Sequence, residues 1–190
     1  MKKTIENLTK AFIGESQARN RYTMYAKIAK KEGYEKIMAL FELTATQEAE
    51  HAKWLMRMIN ELKEGNVEYD EITVEAGAPT ILKSTKENLQ AAIAGENHEH
   101  TNMYPEFADT AKEEGLLKIS GRLKAIAVAE KNHESNYQKF LDEIVNDSVF
   151  KKEEVVTWVC RKCGYTHTAN GAPEECPSCG HPKAYFEIKS

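Results

Sequence analysis

The sequence predicts a mainly α-helical protein, in which a long four-helix bundle with a long crossover connection precedes a small metal-binding module of short strands. Apolar residues recur at alternating steps of three and four through four long segments, which is the period of helices that face a bundle core. A Glu-x-x-His spacing occurs twice inside those segments. All four cysteines lie in the last 31 residues as two Cys-x-x-Cys pairs. We therefore assign residues 1–150 to the bundle and residues 151–190 to the module.

The four helix-patterned segments are predicted to be about 30 residues each, or roughly 45 Å of helix. Within these helices, the apolar pattern spans residues 8–29, 37–62, 89–107 and 119–144. Gly33, Gly65 and Gly115 follow the first three segments and are the predicted helix stops. Short loops at Gly33 and Gly115 make consecutive helices antiparallel, whereas the connection from about residue 65 to 84 is long enough to run the length of the bundle.

The two helical hairpins form an internal repeat. Five landmarks recur 82 positions later, namely Tyr22 at Tyr104, Glu32-Gly33 at Glu114-Gly115, Ile37 at Ile119, Glu48 at Glu130 and His51 at His133. The pair Gly14-Glu15, by contrast, recurs 81 positions later as Gly95-Glu96. The third helix therefore contains one additional residue, and we predict a π-type i to i−5 bond or a kink between Glu96 and Pro105.

Seven potential metal ligands are predicted to meet in one layer at the middle of the bundle. Residues three apart share a face of a helix, so each Glu-x-x-His copy can point a carboxylate and an imidazole at one ion. The seven residues are Glu15, Glu48, His51, Glu96, Glu99, Glu130 and His133. Five buried carboxylates would be strongly destabilising, and two divalent cations would remove most of that cost. Solvated surface charges are the alternative, if the helix phase differs by one step.

Three neighbouring residues each have two interpretations. His100 lies four positions after Glu96 and is an alternative to Glu99 as a ligand. Tyr22 and Tyr104 are either core aromatics or donors of hydrogen bonds to metal-bound carboxylates. We include both tyrosines, together with the seven ligands, in the predicted catalytic set.

The cysteine-containing tail has the spacing of a tetrahedral metal site. Its ligands are predicted to be Cys160, Cys163, Cys176 and Cys179, flanked by β-prone stretches at residues 155–159 and 185–188. A disulfide interpretation requires an oxidising compartment, which no other feature supports. Zinc would make the site structural and iron would make it a one-electron carrier, and the spacing is compatible with both.

The composition argues against two classes of partner. The formal charge of −4 and the pI of about 5.9 disfavour nucleic acid, which usually requires a basic surface. No apolar stretch approaches the length that spans a bilayer, and no signal-type apolar run develops near the N-terminus. We therefore expect a cytoplasmic protein that binds neither nucleic acid nor membranes.

These motifs together give the chain a resemblance to the rubrerythrin family over nearly its whole length. The bundle motifs that carry it are the segments 14–22 (GESQARNRY), 48–51 (EAEH), 95–100 (GENHEH) and 130–133 (EKNH). The tail segments 160–165 (CRKCGY) and 176–180 (CPSCG) resemble rubredoxin. The resemblance implies a ferritin-like bundle with a non-haem di-iron site, followed by a rubredoxin-like module with one iron.

The resemblance also implies an activity and individual ligand roles. Family members reduce hydrogen peroxide in cells that avoid oxygen, with electrons from a reduced donor such as rubredoxin or an NAD(P)H-dependent reductase. Glu48 and Glu130 would bridge the two irons. One iron would be held further by Glu15 and, according to oxidation state, by Glu99 or His51. The remaining two ligands, Glu96 and His133, would hold the other iron.

Assembly and two competing functions are further expectations. About 13 residues of helix, roughly 20 Å, separate His133 from the end of the fourth helix near Asn146. That distance is long for electron transfer within one chain, so we predict a head-to-tail homodimer, as family members form. A ferroxidase or iron-storage protein is the first alternative, and a protein with structural zinc in both sites is the second.

Overall fold

The computed structural model describes residues 3–63 and 69–189, and its helices form the predicted bundle. The helical elements are α1 (Lys3–Lys31), α2 (Glu35–Lys63), α3 (Thr85–His98), a π-helical segment (Glu99–Met103), α4 (Tyr104–Glu113) and α5 (Leu117–Val145). The α3 helix, the π-helical segment and α4 follow one another without a break, so they make one of the four rods. Helices α1 and α2 form one hairpin, and the third rod and α5 form the other.

The turns inside the two hairpins lie where the sequence predicts them. Gly33 and Gly115 both adopt positive φ, at 84° and 78°, just after α1 and α4 end. This left-handed conformation is accessible to glycine at little cost, which explains why the helices stop there. The predicted stop at Gly65 lies outside the described residues.

The predicted irregularity in the third rod is present. The backbone N–H of Tyr104 donates to the carbonyl oxygen of Glu99, five residues earlier, and closes the π-helical segment. One additional residue in a helix that stays packed at both ends is accommodated by such a widened turn. The prediction of an i to i−5 bond between Glu96 and Pro105 is therefore confirmed.

The crossover runs between opposite ends of the bundle. In its described part, residues 69–84, it begins with an ion pair of 2.6 Å between Lys63 and Asp70. It is fixed further along by the hydroxyl of Tyr25, which donates to the carbonyl oxygen of Ile81 at 2.8 Å. A capping box of Ser84 and Glu87 then starts α3.

Two apolar clusters occupy the ends of the bundle and leave a polar layer between them. One cluster contains Ile5, Leu8, Leu55, Met58, Tyr104, Phe107, Ile119 and Leu123. The other contains Tyr22, Tyr25, Ala29, Ile37, Phe41, Leu89, Tyr137 and Phe140. Along every rod, the predicted ligand positions fall between the residues of these two clusters. None of the helices in the described ranges is long and apolar enough to cross a membrane.

The tail folds as a small antiparallel sheet around one tryptophan. Strands β1 (Lys151–Cys160), β2 (Thr166–Gly171) and β3 (Phe186–Ile188) are arranged in the order β2-β1-β3. Trp158 is fully buried and pairs with His167 on one side and Ile188 on the other. The sequence predicts β1 and β3. It does not predict β2, which is a short strand of mainly small and polar residues.

The tail packs against one end of the bundle of its own chain. The rings of Tyr34 and Phe150 stack with their centroids 6.2 Å apart and their planes nearly parallel. The Nζ atom of Lys36 lies 3.5 Å from Glu187 of β3. These contacts join the start of α2 to the sheet.

Candidate metal centres

The polar layer of the bundle brings carboxylates and imidazoles from all four rods together. These side chains form two groups, each with three carboxylates and one imidazole. Within each group, the ligand atoms all lie within 4.8 Å of one another. The first group is Glu15, Glu48, His51 and Glu130, and the second is Glu48, Glu96, Glu130 and His133. Because Glu48 and Glu130 belong to both groups, the geometry is that of two adjacent sites with two shared carboxylates.

His51 faces the first group through one ring nitrogen. Its Nδ1 atom lies 2.8 Å from Glu130 Oε1, 3.0 Å from Glu48 Oε2 and 3.7 Å from Glu15 Oε1. The i, i+3 spacing on α2 puts His51 and Glu48 on the same face, as predicted. One nitrogen and three carboxylate oxygens therefore surround one point.

His133 faces the second group in the same manner. Its Nδ1 atom lies 2.7 Å from Glu130 Oε2, 3.1 Å from Glu48 Oε1 and 3.3 Å from Glu96 Oε2. The bridging carboxylates thus present one oxygen to each histidine. This crossed arrangement reflects the internal repeat, since α2 and α5 carry the same motif.

The ligand atoms fit bound cations better than any internal hydrogen-bond network. Six of them are buried and, although they lie close together, make no hydrogen bond of acceptable geometry: Glu15 Oε2, Glu48 Oε1, Glu96 Oε2, both oxygens of Glu130 and His133 Nδ1. Buried polar atoms are nearly always paired, and leaving them unpaired is destabilising. Carboxylate oxygens with neutral imidazole form a donor set that suits iron and manganese.

The pKa values of the cluster show how strongly it needs positive charge. Burial raises the pKa of Glu15 well above its ordinary value, and burial raises that of Glu96 to about 7. Burial acts in the same direction on Glu48, but contacts with His133 and His51 outweigh it and lower the pKa of Glu48 to about 2. Burial opposes protonation of His133, yet its three carboxylate neighbours raise its pKa to about 12. Cations at these points would supply the charge that the carboxylates attract.

Two buried tyrosines connect the hairpins to this layer. The hydroxyl of Tyr22 on α1 donates to Glu96 on α3, and the hydroxyl of Tyr104 on α4 donates to Glu15 on α1. The pair follows the internal repeat, because each tyrosine reaches the glutamate of the other hairpin. A donor at one carboxylate oxygen orients the second oxygen toward a metal.

Glu99 and His100 lie outside both four-residue groups. Burial raises the pKa of Glu99, and the nearby Glu15, Glu96, Glu130 and Glu48 raise it further, so its carboxyl lies close to the layer. His100 points elsewhere, with its Nε2 atom 2.5 Å from Glu134 Oε2. In this conformation it is therefore His51, and neither Glu99 nor His100, that completes the first group.

Two separate surface cavities reach the layer. A groove of about 580 Å³ borders Glu99 and is lined also by Gly14, Gly95 and the crossover at residues 75–79. A smaller cavity of about 200 Å³ borders His51 and is lined also by Trp54 and Arg122. Glu99 and His51, which the resemblance implies alternate as ligands of one ion, therefore both border a cavity that is open to solvent.

One polar contact of the layer was not predicted from the sequence. The Nε2 atom of His133 lies 3.0 Å from the amide oxygen of Gln47 on α2. Gln47 is largely exposed, so the apolar period of α2 does not mark it. Its place immediately before the repeated Glu-x-x-His motif is the one signal that could have identified it.

The four cysteines of the tail form a second, separate site. Cys160 Sγ lies 3.8 Å from Cys179 Sγ, and Cys163 Sγ lies 3.6 Å from Cys176 Sγ, with all four thiols free. A tetrahedron with metal–sulfur bonds of about 2.3 Å has edges of roughly 3.8 Å, so the spacing fits one ion. A backbone hydrogen bond at Tyr165 lowers the pKa of Cys163 to about 6, which favours the metal-binding thiolate.

Comparison with known proteins gives matches for both parts of the chain. The family model described as Rubrerythrin matches residues 6–141, and the model described as Rubrerythrin, rubredoxin-like domain matches residues 158–187. The chain is 56% identical to a putative rubrerythrin of Methanocaldococcus jannaschii over 100% of this chain and 94% of that protein. It is 46% identical to a rubrerythrin of Nitratidesulfovibrio vulgaris over 98% of this chain and 94% of that protein.

Solved structures agree with these sequence matches. The fully reduced, all-ferrous state of nigerythrin superposes with a TM-score of 0.65 at 33% identity, covering 98% of this chain and 86% of that chain. The bundle is therefore ferritin-like and carries a di-iron site with carboxylate and histidine ligands, and the tail carries a rubredoxin-like four-cysteine metal site. Family models covering most of its length, relatives of high identity and this geometry establish that the chain belongs to the rubrerythrin family.

Proposed function

We propose that the protein reduces hydrogen peroxide to water and so protects anaerobic or microaerophilic cells against oxidative stress. The observation that carries the proposal is the pair of metal sites sharing Glu48 and Glu130, in one chain with a four-thiolate site. Membership of the rubrerythrin family indicates an oxidoreductase. The reaction consumes two protons and two electrons for each peroxide and yields two waters, which matches two adjacent one-electron ions.

We assign the ligands from the contacts in the polar layer. Glu48 and Glu130 belong to both groups and would be shared by the two ions. Glu15 and His51 complete one site, and Glu96 and His133 complete the other, as set out by the two four-residue groups. Following the family resemblance, Glu99, which borders the larger groove, would take the place of His51 as a ligand of the oxidised site.

Two ferrous ions, when bound, supply both electrons in one encounter and thereby avoid release of a radical. The side chains control charge and access around that chemistry. An anionic Glu99 in place of a neutral His51 adds negative ligand charge as the metal charge increases. Tyr22 and Tyr104 hold Glu96 and Glu15 in position through their hydroxyl hydrogens. The groove beside Glu99 offers a route by which a molecule as small as peroxide enters.

The four cysteines of the tail would hold an iron, which would supply one-electron chemistry next to the bundle. The tail lies on the end of its own bundle, where Tyr34 and Lys36 contact it. From Lys36 to Glu48 is 12 residues of α2, or about 18 Å. We therefore propose a head-to-tail homodimer in which the tail of one subunit reduces the bundle site of the other.

We further propose a cytoplasmic location and an external electron donor. Reduced cysteines in metal-site geometry are consistent with a cytoplasmic protein. The electrons come from a reduced carrier such as rubredoxin or from an NAD(P)H-dependent reductase. Residues 1–150 and 151–190 act as the catalytic and the electron-entry units.

The decisive test is metal content combined with peroxide turnover. We expect anaerobically purified protein to contain three irons per chain, to show the thiolate-to-ferric absorption band, and to oxidise NAD(P)H through a reductase when peroxide is added. Zinc at the four-thiolate site, or absence of peroxide-dependent turnover, would refute the proposal. Accumulation of iron mineral in a large shell would identify a ferroxidase instead.

Removal of a tyrosine hydroxyl should weaken the site without dismantling it. We expect Tyr104→Phe to lower kcat/KM for peroxide by about 10- to 100-fold, because Glu15 loses the donor that orients it. Tyr22→Phe should have a similar effect through Glu96. Tyr25→Phe is the matched control, since its hydroxyl donates to the crossover at Ile81 and contacts no ligand. Equal activity of the three variants would contradict the role of the two tyrosines.

Dependence on protein concentration tests the dimer. We expect turnover per chain to fall when the protein is diluted below its dimer dissociation constant, and to recover on concentration. Mixing a variant that lacks a functional tail with one that lacks a functional bundle site should restore activity. Full turnover by a demonstrated monomer would contradict electron transfer between subunits.

A further inference from the structure

The two histidines of the bundle site differ in what lies behind them. Both direct Nδ1 toward the carboxylates, so Nε2 points away from the cluster in each ring. The Nε2 atom of His133 lies 3.0 Å from Gln47 Oε1. For His51, the described part of the chain provides no acceptor at this nitrogen, and its ring borders the smaller cavity. His133 is also the more deeply buried side chain, at 4% exposure against 16% for His51.

A hydrogen bond at Nε2 determines how the ring can bind a metal. Metal binding requires the neutral imidazole, and the amide oxygen of Gln47 accepts its one N–H at Nε2. The lone pair of His133 then remains at Nδ1, directed at the cluster and fixed in orientation. Such an outer partner is what holds a metal-ligating histidine in one tautomer and one rotation. His51 has no equivalent constraint among the described residues.

The internal repeat explains the difference in terms of a single position. Gln47 comes immediately before Glu48, and the corresponding position before Glu130 is Ala129. Gln47 on α2 contacts His133 on α5. In a symmetric repeat, the residue at position 129 on α5 would make the equivalent contact with His51 on α2. A methyl group cannot accept a hydrogen bond. The asymmetry between the two histidines is therefore present in the sequence.

We propose that Gln47 is a positioning residue that keeps His133 on its metal throughout turnover, and that Ala129 leaves His51 free to give up its place to Glu99. The inference rests on the ligand roles assigned in the proposed function. It adds a cause for why one histidine exchanges and the other stays. Because Gln47 is exposed on α2, its replacement tests positioning and does not disturb the core.

Metal binding provides the first test, with Co²⁺ alone as the probe under anaerobic conditions. We expect Gln47→Leu to weaken binding of one bundle ion by about 10- to 100-fold, the usual effect of losing an outer-shell partner. Gln47→Glu retains an acceptor and should restore the affinity. The four-thiolate site, whose cobalt complex absorbs at different wavelengths, serves as the internal reference. Equal affinity of the Leu variant and the unaltered protein would overturn the role of Gln47.

Crystal structures of the peroxide-oxidised protein provide the second test. We expect Glu99 to have replaced His51 in the unaltered protein, whereas Ala129→Gln should retain His51. Glu99 bound in the Ala129→Gln variant would overturn the second half of the inference. Absence of exchange in the unaltered protein would instead contradict the ligand roles of the proposed function. Failure of steady-state peroxide turnover is a third, separate result, since cobalt affinity does not depend on it and the structures require only a single oxidation.

Discussion

Glu48→Ala is expected to lower kcat/KM for peroxide by at least about a thousandfold, which corresponds to ~4 kcal/mol of activation free energy. Glu48 belongs to both four-residue groups and lies 3.0 Å from His51 and 3.1 Å from His133. Its loss therefore removes a ligand from each ion at once. We expect the bundle to lose its iron, measured by metal analysis, while the thiolate-to-ferric band of the tail persists.

The matched control for this variant is Glu42→Ala. Glu42 is an exposed glutamate on the same helix, so the substitution changes the charge and the helix propensity equally. We expect normal iron content and normal turnover. Helicity measured by circular dichroism should be the same in both variants. Loss of activity in Glu48→Ala with a full complement of bundle iron would show that Glu48 acts otherwise than as a bridge.

Cys176→Ser is expected to unfold the tail and abolish turnover driven by NAD(P)H. The module has a single small apolar cluster, and two of its five buried members are cysteines of the site. A domain this small depends on its metal, whose binding contributes on the order of 10 kcal/mol to folding. The bundle should remain helical, and its iron, reduced chemically, should still react with peroxide once.

Trp158 is a suitable reporter for the state of the tail. Its indole N–H donates to the carbonyl oxygen of Ala169 at 3.0 Å, which gives a protected resonance while the sheet is intact. We expect this resonance to be lost in Cys176→Ser and retained in Ser178→Ala. Ser178 is exposed in the same loop and removal of its hydroxyl affects no thiolate. A protected Trp158 signal in metal-free Cys176→Ser would show that the sheet folds without its ion.

The bundle could be predicted in detail because apolar residues recur at a regular spacing along each of its helices. Burial of one face over 29 residues repeats the same signal many times, and glycines mark the turns. The π-helical segment could be predicted because two copies of one hairpin can be compared, and the offset between them changes from 81 before that segment to 82 after it.

The parts that could not be predicted lack such redundancy. Strand β2 is six residues long and half exposed, and it forms because β1 offers a hydrogen-bonding edge that only the folded tail contains. The contact of Gln47 with His133 joins residues 86 positions apart on different rods. The family resemblance implied that His51 and Glu99 alternate, but which of them completes the first group depends on the conformation and not on the spacing.

The polar layer between two apolar clusters has a consequence for how this scaffold can change. Apolar side chains lie above and below the layer and set the shape of each end, whereas the predicted metal ligands are confined to a slice about two helical turns thick. Repacking either end with side chains of equal volume should shift the melting temperature but leave the reduction potential nearly constant. Thermal stability and reactivity could then evolve on separate sets of residues. A designer could change the stability of the bundle while keeping its reduction potential fixed.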